Sequence, residues 1–122
     1  MSENGAIYSK DKTKLIRLVD NSKTIFEIPY GVNEIEHNAF YQKWKLEQIT
    51  IPETVITIRQ EAFRDCKILN ELEIPSSVQT IESGAFSECS NLKNVLIRKE
   101  KNSISGSPWG CVYGERAMKW QP

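Results

Sequence analysis

The chain repeats itself every 23 residues: Ile28-Pro29 returns as Ile51-Pro52 and again as Ile74-Pro75. The match extends through the whole period. Val32, Val55 and Val78 follow at one offset, Ile35, Ile58 and Ile81 at the next, and then Ala39-Phe40, Ala62-Phe63 and Ala85-Phe86. Each unit closes on an alternating segment, Leu46-x-x-Ile49-x-Ile51, Leu69-x-x-Leu72-x-Ile74 and Leu92-x-x-Val95-x-Ile97. Self-similarity at a constant period of about 20 to 50 residues marks architectures in which one supersecondary unit stacks on the next, because no unit can bury its apolar face alone.

The closing segment alternates at period two, as a half-buried strand does, and stops at a proline that cannot continue a hydrogen-bonded ladder. One short strand per coil is expected. Strands of the same polarity returning at one period lie parallel, about 4.8 Å apart, so equivalent side chains line up through the core. Phe40, Phe63 and Phe86 form such a ladder. Continuing the register finds Ile104, then Pro108-Trp109 in place of Ala-Phe, then Met118-x-Trp120 on the strand positions, a degenerate fourth coil. Backwards, Phe26-x-Ile28 fits the strand but the residues before it do not. There Ala6-Ile7-Tyr8 and Leu15-Ile16-Arg17-Leu18 flank the polar Lys10-Asp11-Lys12-Thr13, the pattern of a β-hairpin. A single mainly β domain over 1–122 is expected, with a hairpin cap over 1–22, regular coils over 23–97 and a capping coil over 98–122. Helix is confined to one helical or 3₁₀ turn within 59–66.

With 122 residues the chain is long enough for one core and too short for a catalytic domain beside a recognition domain. Sixteen basic residues balance sixteen acidic ones, and both halves are balanced, which removes the basic footprint of a nucleic-acid binder or of a protein held on an anionic membrane. No apolar run approaches the roughly 20 residues that span a bilayer, so no membrane insertion is expected. Nor does the N-terminus show the basic-then-apolar pattern of a signal peptide.

Ile-Pro-x-x-Val-x-x-Ile-x-x-x-Ala-Phe-x-x-Cys-x-x-Leu, as in residues 51–69, resembles the BspA-like class of leucine-rich repeats, found on many bacterial surface proteins and in some parasitic protists. The resemblance covers about residues 6–120, including the opening Tyr8 to Leu15 and the closing Ile104 to Gly110. Lys43-Trp44 departs from it, standing where the family has a small residue and Cys. The resemblance implies a leucine-rich-repeat solenoid displayed at the cell surface or outside the cell. It further implies a noncatalytic role in protein binding or adhesion, with a protein or glycan partner, including one derived from a host. A structural spacer or self-packing repeat within a larger surface protein is the alternative.

Residues capable of chemistry are few. His37, in Glu36-His37-Asn38, is the single histidine and falls on a turn, whereas metal sites and nucleophilic triads need converging partners. No metal or other cofactor is expected. Cys66 and Cys89 share one ladder position in adjacent coils, close enough to be bridged, yet small buried hydrophobes are the usual state of free cysteine. Cys111 sits one residue off that ladder as a third thiol. Glu71 and Glu73 lie two apart on an exposed strand face, where little desolvation separates two carboxylate pKa values, and acid–base work is not expected of them.

Binding candidates follow from the register. Ile25 and Glu27, Gln48 and Thr50, Glu71 and Glu73, Asn94 and Leu96, and Ala117 and Lys119 alternate outward, giving a strip acidic in the middle. It serves either as a contact surface or as ordinary solubilising alternation. A second candidate is the loop Phe40-Tyr41-Gln42-Lys43-Trp44-Lys45, where Tyr41 and Trp44 replace the Arg64 and Lys67 of the next coil. Trp44 is either an exposed anchor or a cover over the core where Lys43 replaces Cys.

Overall fold

The computed structural model describes residues 2–92, 94–98 and 118–120, with the backbone alone for 2–3 and 118–120. Ile104, Pro108-Trp109, Cys111 and Ala117, and the side chain of Lys119, fall outside the described residues. Among the described residues there are eleven strands and no helix: β1 (Ser2–Glu3), β2 (Ala6–Tyr8), β3 (Lys14–Leu18), β4 (Ile25–Glu27), β5 (Glu34–Ile35), β6 (Gln48–Thr50), β7 (Thr57–Ile58), β8 (Glu71–Ile74), β9 (Thr80–Ile81), β10 (Asn94–Ile97) and β11 (Met118–Trp120).

The strands make two sheets, one ordered β11-β10-β8-β6-β4 and the other β1-β2-β3-β5-β7-β9. The first is the expected stack of parallel strands, in which Phe26 pairs with Ile49, Gln48 with Glu71 and Val95 with Leu72. Its register extends into the degenerate coil, since Val95 pairs with Met118 and Ile97 with Trp120. The second sheet corrects the expectation of one strand per coil. Glu34–Ile35, Thr57–Ile58 and Thr80–Ile81 pair in parallel, so every regular coil crosses the core twice. Two residues are too short a run for an alternation signal, and the hint was the repeated β-branched Thr-Ile.

Between these strands the chain turns twice. Val32, Val55 and Val78 each donate a backbone N–H to the proline carbonyl three residues earlier, a turn the fixed φ of Pro favours. At the other side, the helical turn expected within 59–66 does not form. Asn38, Glu61 and Gly84 share one register position with φ of 59°, 57° and 68°, and Gln42, Asp65 and Glu88 share a second at 57°, 64° and 58°. Left-handed residues interrupt a right-handed helix. The backbone N–H groups of Phe40, Gln42, Phe63 and Asp65 donate instead to carbonyls of the next coil, Ala62, Arg64, Ala85 and Ser87. Hydrogen bonds that run along the helix axis in a helix here run along the stack axis.

The core is the set of ladders. Phe63 is fully buried between Phe40 and Phe86, with ring centroids at 4.7 and 5.0 Å and planes within 3° and 10°. Ile35, Ile58 and Ile81 line the second sheet, and Leu46, Leu69 and Leu92 the approach to the first, all at 0% exposure. Polar ladders run outside. Arg59 reaches back to Glu34 and Glu36 and forward to Glu82 at 2.9 Å, so one guanidinium ties three coils, and Arg64 bridges Glu61 and Glu88.

The expected hairpin forms, with β2 antiparallel to β3. Beyond covering the core, β3 continues the solenoid as a half coil: Leu15 pairs in parallel with Ile35, and the Leu18 N–H donates to the Ala39 carbonyl. The offset from Leu15 to Ile35 is 20 residues and not 23, which hides this half coil from a search at the repeat period. At Gly5, φ is +79° and a Cβ would lie 2.6 Å from Asp20 Cβ, so the turn into β2 packs backbone directly on the chain leaving β3.

Candidate binding faces

The outward positions of the first sheet come together as the register requires. Gln48, Thr50, Glu71, Glu73 and Asn94 are exposed and Leu96 half-buried, while Ile49, Leu72 and Val95 between them point into the core. Together they line one shallow groove of about 610 Å³ across β6, β8 and β10. Ile25 and Glu27 on β4 carry the face to the sheet edge, where Ile25 is 59% exposed. Glu73 is held by Arg98, whose Nε lies 3.2 Å from Oε2, so the acidic centre of the strip is partly neutralised at its upper rung. Arg98 immediately follows β10, and sequence register alone places it past the strand, out of the outward set.

Tyr41 and Trp44 lie elsewhere. Trp44 is 55% exposed and does not cover the core, and it is Lys43 that turns inward, at 7% exposure. Its Nζ donates to Oδ1 of Asn21 in the cap at 2.7 Å. Burial, and after it the repulsion of the Arg17 guanidinium, push the Lys43 ammonium below the ordinary lysine pKa. Around it Arg17, Asn21, Ser22, Tyr41, Trp44 and Lys45 line a recess of about 490 Å³.

The remaining candidates sit apart. His37 is exposed on its turn, and its Nδ1–H donates to the Gln60 carbonyl at 2.9 Å. Cys66 and Cys89 are free, buried thiols, each with Sγ 3.0 Å from a carbonyl of the preceding coil, that of Phe40 and that of Phe63. The neighbouring Cys89 thiol and burial raise Cys66 well above its ordinary value, so it is protonated and poorly nucleophilic. Among the described residues no group of three or more His, Cys, Asp or Glu side chains is placed to hold a metal ion. No helix among them is long and apolar enough to cross a membrane.

Parallel coils, an outward strand face and phenylalanine ladders define a leucine-rich-repeat solenoid. Residues 19–110 match the BspA type leucine-rich repeat region, three quarters of the sequence, and the chain belongs to that family. The fold is shared with solved bacterial structures. A leucine-rich-repeat protein of T. pallidum aligns over 86% of this chain with a TM-score of 0.67 and 22% identity. One from Bacteroides capillosus aligns over 79% with a TM-score of 0.64 and 22% identity, and that alignment takes in 74% of its own length. The pneumococcal vaccine antigen PcpA aligns over 99% with a TM-score of 0.67 and 21% identity. This chain spans 61% of the T. pallidum protein and 36% of PcpA. A search of curated protein sequences finds no match.

Proposed function

We propose that this chain is a noncatalytic interaction module that binds a protein partner through the outward face of β6, β8 and β10. The observation that carries the reading is the continuous groove over three coils, in which Gln48, Thr50, Glu71, Glu73 and Asn94 stand in register on a rigid ladder. Side chains at strand spacing on a packed core are preorganised, so little conformational entropy is lost when a partner docks. The acidic rungs at Glu71 and Glu73 favour a partner segment carrying basic groups, and the charge adds to encounter rate and selectivity more than to affinity. Display outside a bacterial cell is supported by the family and by the likeness in fold to a protein described as a vaccine antigen.

The test is a binding screen against extracellular-matrix proteins, with Glu71→Lys, Glu73→Lys run beside the natural chain. Saturable binding that the double variant weakens about tenfold or more is expected. Equal binding by both, with both folded, removes the face from the reading. A second reading, self-packing between copies, rests on the edge position of β4 among the described strands and the exposed Ile25 on it. It requires a dimer in solution that Ile25→Lys dissociates.

A further inference from the structure

We propose a second site, the recess where Trp44 and Tyr41 meet Arg17, Lys43 and Lys45, and assign it an acidic saccharide: a sugar ring laid on the Trp44 indole with its carboxylate or sulfate group held by the three cations. The site shares no residue with the strand-face groove.

Lys43 lines the recess from a buried position. Its side chain is more than nine-tenths buried, yet its ammonium, with three N–H donors, has one hydrogen-bond partner among the described residues, Asn21 Oδ1. Buried charges are ordinarily paired, because an ion taken out of water without a counter-charge is costly. Among the described residues Lys43, Arg17 and Lys45 form no ion pair, although Arg59, Arg64 and Arg98 are each paired with glutamates. Asp20 acts on Lys43 only at longer range, below burial and Arg17 in its effect, and its Oδ1 accepts from the Ser22 N–H at 2.9 Å. Three cations without a direct ion-pair partner among the described residues leave a positive potential around one recess that an anion would satisfy, in a chain whose net charge is zero.

The aromatic wall decides what carries the anion. Trp44 is 55% exposed beside these cations, and Lys67 stands at its position one coil later, so the indole is no requirement of the repeat. A flat π-face beside anion-binding donors suits the polarised C–H face of a sugar ring and the acidic group it bears. In sequence the lining residues are interrupted by acidic Asp20 and followed by Glu47, and the chain carries as many acidic as basic residues, which disfavours the long phosphate backbone of a nucleic acid.

Isothermal titration calorimetry on the full chain with a heparin-derived tetrasaccharide and a hyaluronan hexasaccharide tests the assignment, with a neutral chito-oligosaccharide, a polyglutamate peptide and oligothymidylate as controls. At least one acidic saccharide is expected to bind saturably and more weakly as salt is raised, with the three controls about tenfold weaker or more. Lys43→Cys, the residue of the same rung in the next two coils, removes the buried cation while keeping the ladder. Arg17→Gln and Trp44→Ala alter exposed side chains, so they keep the test intact should Lys43→Cys fail to fold. Each is expected to lose about tenfold or more, while Glu71→Lys, Glu73→Lys binds as the natural chain does. Absence of binding by both acidic saccharides, unchanged affinity in Arg17→Gln and Trp44→Ala, or equal affinity for polyglutamate or oligothymidylate would each overturn the assignment.

Discussion

Lys43 and Cys66 occupy the same rung of successive coils with opposite chemistry: Cys66 Sγ lies 3.0 Å from the Phe40 carbonyl of the coil before it, whereas Lys43 has the cap before it and reaches Asn21 at 2.7 Å. The rung above Cys66 repeats its solution, with Cys89 on the Phe63 carbonyl. The first regular coil therefore joins a cap of different geometry, and a long side chain spans what a thiol cannot. Asn21→Ala is expected to cost about 1–3 kcal/mol, because it leaves a buried ammonium without its acceptor. Lys43→Met removes charge and acceptor demand together while keeping the length of the side chain, and is expected to stay within about 1 kcal/mol of the natural chain. Chemical denaturation of the two variants, read by circular dichroism, separates these outcomes; equal losses would show that the contact is a packing effect.

Phe63→Ala is expected to destabilise the chain by about 3–5 kcal/mol. Phe63 has stacked rings on both sides and no exposed surface, so the neighbours cannot collapse into the space without breaking register. A denaturation midpoint change worth less than about 1 kcal/mol would place the ring outside the core.

Gly84 tests whether the left-handed turn carries strain. A Cβ there would meet Glu61 Cγ at 3.5 Å and Ser87 Oγ at 3.6 Å, ordinary contacts, so the cost of Gly84→Ala is that of placing an L-residue at φ +68°, about 1 kcal/mol. Gly84→Asn is expected to cost less, since Asn tolerates that region and already stands at the equivalent Asn38. Equal losses in the two variants would point to steric contact instead.

Acid should loosen the hairpin first. Hydrogen bonds from the Thr13 hydroxyl and N–H, and then from Ser9, lower Asp11 to about 2 from an unperturbed 3.8. Because the folded value is depressed, the stabilisation is fully present above the unfolded value and disappears as pH falls through the folded one. Carboxyl chemical shifts followed through this window by NMR are expected to show the Asp11 midpoint near 2 and amide exchange rising over Ser9 to Lys14. A midpoint at the unperturbed value would mean that the loop is open in solution.

Cys66 and Cys89 are expected to resist Ellman's reagent in the native chain with Cys111→Ser, and to react only on unfolding. Both are fully buried and out of the reagent's reach, and the Cys66 thiol is in addition kept protonated by the neighbouring Cys89 thiol and burial. Stoichiometric labelling without denaturant would show that the stack opens.

The period, the strand positions of the first sheet, the hairpin, the phenylalanine and cysteine ladders and the outward set from Gln48 to Asn94 were all legible in the sequence. They rest on spacing and alternation, which depend on a residue and its near neighbours. The match of Met118 to Val95 was legible for the same reason. Asn38 and Gly84 at one register position were the available signal for a left-handed turn, and Thr57-Ile58 and Thr80-Ile81 for a second strand.

What tertiary structure decided was everything settled by the neighbouring coil. The N–H groups of Phe63 and Asp65 turn to the carbonyls of Ala85 and Ser87, with Glu61 and Asp65 at positive φ, in place of the expected helical turn. The half coil in β3 exists because Leu15 finds Ile35 across a shorter connection. The inward Lys43, the outward Trp44 and the recess between them arise where the regular stack meets its cap, a junction that no single repeat encodes. Local pattern sets which side chains face inward; the hydrogen-bond and charge partners come from coils and cap about 20 residues away in sequence.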